Sequence, residues 1–133
     1  MKLQDYFANT PGRGVLATAA ADGKVDAALY STPHFLEEGE VAFIMRDRLS
    51  HQNVSENPYA TFLFIADGPG ARGIRLFLKK TKEETDAAKI KGLMRRQLSP
   101  AEDRARGESF LVSFAVEKTL PLVGSDPANI PAG

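Results

Sequence analysis

The chain has 133 residues, 43% of them hydrophobic and 26% charged, the make-up of one globular domain and not of a disordered chain or a collagen-like fibre. Seventeen lysines and arginines balance seventeen aspartates and glutamates, so no net field gathers nucleic acid or an anionic membrane surface. Cysteine is absent, which excludes disulfides, thiolate catalysis and metal sites built on sulfur and accords with a reducing compartment.

Met1 to Phe7 contains no basic segment leading into a long apolar run. Neither a signal peptide nor a membrane anchor is expected, and a cytoplasmic location is the default. From there the two-residue period of strands dominates. Gly14 to Ala20 reads as a first strand, and Ala21-Asp22-Gly23-Lys24 has the turn chemistry of a tight hairpin into a second, Val25 to Thr32. Glu37-Glu38-Gly39-Glu40 is a further hairpin turn, delivering Val41 to Arg46 with Val41, Phe43 and Met45 on one face and Ala42, Ile44 and Arg46 on the other. Ser50 is read as the N-cap of a short helix that stops at Asn57-Pro58. Ala60 to Ala66 and Gly73 to Lys80 are strands four and five. A longer helix is predicted from Thr81, where Thr81-Lys82-Glu83-Glu84 matches a capping box and Ala87, Ile90, Met94 and Leu98 recur at helical spacing opposite Lys89, Lys91, Arg95 and Arg96. Phe110, Val112, Phe114 and Val116 alternate along a sixth strand. The prediction is a mainly β domain over residues 1–123, with a loosely held tail over 124–133. Apolar residues on both faces require the sheet to curl into a barrel or pair with another chain, and a barrel is favoured.

The residues narrow the chemistry. His34 and His51 are the only histidines and form no His-x-x-x-His pair, so no metal site is expected. There is no Gly-x-Ser-x-Gly elbow, and the loop Asp67 to Gly73 lacks the Lys-Ser/Thr ending of a phosphate-binding loop. The basic stretch from Lys79 to Arg96 has no interleaved aromatics to stack on bases, which favours a solvated face over nucleic-acid binding. Polar and apolar groups are densest from Ala28 to Pro58. Tyr30-Ser31-Thr32-Pro33-His34-Phe35 on strand two, Phe43-Ile44-Met45-Arg46 on strand three and Ser50-His51-Gln52-Asn53 opening the short helix would border a slot for a flat amphipathic ligand.

The element order, with Gly14-Val15-Leu16-Ala17-Thr18, Ser31-Thr32-Pro33-x-Phe35, Asn53-Val54-Ser55-Glu56-Asn57-Pro58 and the Gly-rich loop before Ile74-Arg75-Leu76, resembles the pyridoxamine 5'-phosphate oxidase-like family of flavin-binding split barrels. The resemblance spans roughly Val15 to Val116. It implies a six-stranded antiparallel Greek-key split barrel, a homodimer, and FMN bound at the subunit interface. It also implies Tyr30, Ser31, Thr32 and Pro33 near the flavin ring with Ile44 and Met45 beside them, Arg46, Ser50, His51 and Gln52 near the phosphate, and Asn53 bracing the helix. At positions where the family carries basic residues this chain has Ala28, Pro33, Leu49 and Ser50. The phosphate then falls to Arg46 or Arg48, His51 and helix-end amides, and pyridoxamine phosphate, which needs a second cationic clamp, is not an expected substrate.

The function expected on this resemblance is that of a small FMN-dependent oxidoreductase acting on a small molecule, its flavin reducible by nicotinamide. The rival is a non-catalytic barrel binding flavin, haem or another planar ligand, with His34, His51 or Met45 as the axial haem ligand. Neither nucleic acid nor a membrane is an expected partner.

Overall fold

A computed structural model describes residues 2–94 and 99–130. Its six strands are β1 (Gly12–Ala19), β2 (Val25–Tyr30), β3 (Glu40–Arg46), β4 (Tyr59–Ala66), β5 (Gly73–Glu84) and β6 (Ser109–Pro121). All neighbours are antiparallel, in the order β2-β1-β4-β5-β6-β3. Strands β2 and β3, consecutive in the chain, therefore lie at opposite edges of one sheet. The sheet curls until these edges face one another, and one bridge joins them: His34 and Ala42 exchange N–H···O bonds at 2.8 Å in both directions. The predicted mainly β architecture is present as a split half-barrel. Two details differ from expectation. Strand β2 stops at Tyr30, not Thr32, and the Glu37 to Glu40 turn joins strands that share this bridge and no ladder.

Strict alternation builds the core. Leu16, Phe43, Met45, Phe62, Phe64, Leu76, Leu78 and Phe114 point inward and are almost wholly buried. A helix that the sequence reading did not propose, α1 (Leu3–Asn9), lays Tyr6 and Phe7 edge-on against Phe64, with ring centroids 5.9 and 5.0 Å away. Leu3, Tyr6 and Phe7 fall at i, i+3 and i+4, the spacing of one apolar helical stripe.

The other face of β3 is covered as well. Ala42 is buried in a small second core with Ile90 and Leu111, against which Ile44, Leu93 and Met94 pack. Ile90 and Leu93 come from α3 (Ala87–Leu93), which with α4 (Pro100–Ala105) belongs to the long β5–β6 connection. Here the predicted helix start is corrected. Thr81 to Glu84 is not a capping box but the end of β5, where Lys82, Glu83 and Glu84 pair with Ser113, Val112 and Leu111 across a register shift. Pairing with a long partner strand outweighs local helix-start chemistry. Asp86 is the N-cap of α3, its carboxylate accepting from the Ala88 and Lys89 amides. A complete capping box does occur at Ser99 and Glu102, heading α4. Arg95, Arg96 and Leu98 of the predicted stripe lie outside the described residues.

The short helix between β3 and β4 is α2 (Leu49–Glu56). Its N-cap is Arg48, whose guanidinium has no acceptor to offer the first amides, and Ser50 lies in the first turn of the helix with its side chain buried. After β6, Arg75 donates to the carbonyls of Pro121 and Gly124, a 3-10 turn forms at Pro127–Asn129, and Ile130 packs on the core. Pro131 to Gly133 of the predicted tail lie outside the described residues.

Two glycines test this packing. A Cβ on Gly73 would lie 1.9 Å from the Phe64 carbonyl oxygen, so Gly73→Ala must force β4 and β5 apart. A Cβ on Gly92 meets nothing within 4 Å. Urea denaturation should show Gly73→Ala clearly destabilised and Gly92→Ala stabilised by about 0.5–1 kcal/mol, the cost of glycine within a helix.

Candidate functional site

The seam between the sheet edges widens into an open cleft of about 710 Å³, within the range of small-molecule sites. One wall is β2 and its continuation, with Ala28, Tyr30, Ser31 and Thr32. The facing wall is β3, with Phe43, Ile44 and Arg46. Arg48, Leu49 and Ser50 contribute from the turn into α2, while Met94 and Arg106 reach it from the β5–β6 connection. The cleft thus combines apolar surface, hydroxyls and a group of guanidinium ions.

Tyr30 sets its tyrosine ring edge-on to Phe43, centroids 5.9 Å apart. Burial raises its pKa above the ordinary value and the Asp26 carboxylate adds to this, against a smaller opposing effect of hydrogen bonding with Ser50. The phenol is held neutral, a donor at the cleft wall. Arg46 is held by the β5–β6 connection: Nη1 donates to the Gly107 carbonyl at 2.8 Å and Nη2 to Asp103 Oδ1 at 3.0 Å. Its side chain is only 16% exposed. Arg48 and Arg106 are exposed.

Behind the cleft, α2 is fixed by buried polar contacts. His51 stacks on Phe110, centroids 3.9 Å apart, with Nδ1 3.2 Å from Asp47 Oδ1 and Nε2 3.0 Å from Glu83 Oε1. Asn53 Nδ2 donates to Thr18 Oγ1 at 3.0 Å. These contacts tie the helix that presents Ser50 to β1, β5 and β6. Burial works to raise the Glu83 pKa, but hydrogen bonds and positive charge from Lys80 and His51 prevail and hold it below the ordinary value.

The predicted site residues divide accordingly. Tyr30, Ser31, Thr32, Ile44, Arg46 and Ser50 line the cleft. Pro33 is buried next to it without forming its wall. Met45 faces the barrel core at 0% exposure, because neighbours on a strand point to opposite faces and Ile44 takes the cleft side. His51 and Asn53 lie behind the cleft as braces, and Gln52 is exposed and does not line it. Met94 and Arg106 were missed. Their only signal is long-range, since each depends on the β5–β6 connection folding over β3.

No family model matches the chain, and no curated protein matches it. Solved structures do. An FMN-binding protein from Syntrophomonas wolfei superposes with a TM-score of 0.71 at 15% identity, over 92% of this chain and 85% of that one. A Lactobacillus delbrueckii protein described as a candidate pyridoxamine 5'-phosphate oxidase gives 0.64 at 16%, over 90% and 93%. HutZ, described as the heme storage protein of Vibrio cholerae, gives 0.67 at 13%, over 91% and 95%. The chain has the split-barrel fold of the pyridoxamine 5'-phosphate oxidase-like proteins. No helix among the described residues is long and apolar enough to cross a membrane.

The Glu83 contacts carry a pH dependence. Its folded pKa lies below the ordinary 4.5, so the folded state binds the proton more weakly. The stability it contributes is complete above the unfolded value and is lost as pH falls through the folded one. Thermal melts between neutral and acid pH should show Glu83→Gln less stable than wild type at neutrality, with the gap closing below about pH 4 as the wild-type carboxylate protonates.

Proposed function

We propose that the chain is a small flavin-binding protein that holds FMN in the seam cleft and serves as an oxidoreductase for a small-molecule substrate. The observation that carries this reading is the cleft's polarity gradient: Ile44, Leu49 and Met94 offer apolar surface for a planar ring, and Arg46, Arg48 and Arg106 offer cations for an anionic tail. The donor set fits such a group. Tyr30, Ser31 and Thr32 supply hydroxyls along the β2 wall, and the arginines supply the bidentate geometry that phosphate favours. A flavin, when bound, supplies hydride or electron transfer; the protein binds it, orients it and sets its surroundings. The similarity to an FMN-binding split barrel supports this choice.

The same reading includes a homodimer with the cleft at the subunit interface. The outer face of the sheet is apolar where β2, β1 and β4 adjoin, with Val25 and Leu29 82% and 77% exposed, Ile65 also exposed, and Val15 paired in register with both Leu29 and Leu63. A face of this kind favours burial against a second copy. Sedimentation at micromolar concentration should give about twice the 14.4 kDa chain mass, and Leu29→Glu should shift it to the monomer.

A second reading, haem binding without turnover, is favoured by the similarity to HutZ. Of the three candidate axial ligands, Met45 is in the core and both His51 ring nitrogens face carboxylates, whereas His34 lines the cleft.

Reconstitution separates the readings. The flavin reading expects a yellow protein that binds FMN more tightly than riboflavin, and Arg46→Ala should shrink that preference by about one to two decades, the worth of a charge-assisted contact of about 1.5–3 kcal/mol. A Soret band that His34→Ala abolishes, without flavin binding, would install haem instead.

A further inference from the structure

Arg46, Arg48 and Arg106 all line the cleft, but they are not equivalent. Arg46 is mostly buried and already holds an anion, the Asp103 carboxylate, together with the Gly107 carbonyl. We infer that Asp103 is an internal competitor for the ligand's anionic group: it occupies Arg46 until a phosphate-bearing ligand displaces it, and so lowers the affinity of any anion that uses Arg46. The inference rests on the flavin reading only for the identity of the ligand.

The placement favours exchange. Asp103 lies within α4 and Arg106, three residues on, is its C-cap, a spacing that puts two side chains on one side of a helix turn. An anion that took Asp103's place on Arg46 would enter on the side from which Arg106 reaches the cleft. Asp103 is 54% exposed, and α4 buries no residue, so the displaced carboxylate can turn to water without disturbing a core. Arg46, 16% exposed and rooted in β3, remains where it is.

Charge decides which ligands gain from the exchange. A ligand carboxylate would replace one singly charged oxyanion by another, and Arg46 would contribute little to its net affinity. A phosphate monoester carries about 1.5 to 2 negative charges and a third oxygen. It can occupy the Arg46 fork while also meeting Arg48 or Arg106. Asp103 thereby lowers the affinity of every anion that uses Arg46, and phosphate is the anion with enough in reserve to overcome it.

The test uses wild type, Asp103→Asn and Asp103→Glu, titrated with FMN and riboflavin by flavin fluorescence and with inorganic pyrophosphate by calorimetry. Asp103→Asn should bind FMN and pyrophosphate about three- to fivefold more tightly, the strength of a part-exposed ion pair, with riboflavin unchanged and Asp103→Glu close to wild type. Circular dichroism melts check the fold, and Asp103→Ser supplies the same measurement if the asparagine variant melts early. Unchanged or weakened pyrophosphate binding in a folded variant overturns the inference, as does an equal shift for riboflavin. If no flavin binds any of the proteins yet pyrophosphate tightens, the flavin reading fails and the role of Asp103 stands.

Discussion

The strand order imposes the constraint from which the rest follows. Placing β2 and β3 at opposite edges of a six-stranded sheet leaves two rows of edge backbone groups that must be paired, covered or exposed. Curling brings the rows together, but the Ser31 to Gly39 connection lets them meet in one bridge, His34 with Ala42. A barrel of only six strands, fully closed, has an interior filled by its own side chains and no room for a ligand. Incomplete closure makes an opening whose two walls come from adjoining parts of the sequence.

An opening of this kind collapses unless something holds it, and α2 is placed to do so. The helix has only eight residues, too few for independent stability. Its position comes from contacts that cannot be shifted singly without stranding a buried polar group: Asn53 on Thr18, and His51 between Asp47 and Glu83 on the face of Phe110. The part of the helix exposed to the cleft is small, chiefly Leu49 and Ser50. Most of its polar side chains position the helix and have no direct access to a ligand.

What could be read from sequence follows from interaction range. The strands were legible because Val41, Phe43 and Met45, or Phe110, Val112 and Phe114, announce their pleat locally, and glycine at Gly23 and Gly39 marks the turns by adopting positive φ. The β2 and β3 contributions to the cleft were legible because they lie close together in the chain. Thr81 to Glu84 misled because a capping-box pattern is local, whereas its pairing with β6 spans about thirty residues. Ile44 and Met45 were assigned to one surface although alternation separates them, a point the sequence alone could have settled. The Arg46 to Asp103 contact links residues 57 apart, with no periodicity or motif to announce it.

The β5–β6 connection has a consequence for how such a protein can diversify. It leaves the sheet after Glu84 and returns at Ser109, and it brings Met94, at the end of α3, and Arg106, at the end of α4, to the cleft and sets Asp103 of α4 against Arg46, while α4 itself buries no residue. Substitutions along α4 therefore escape most of the packing penalty that guards the barrel. Lineages sharing this framework could exchange one ligand for another by revising a peripheral loop, with the scaffold inherited intact, and two barrels of nearly the same shape need not share a ligand.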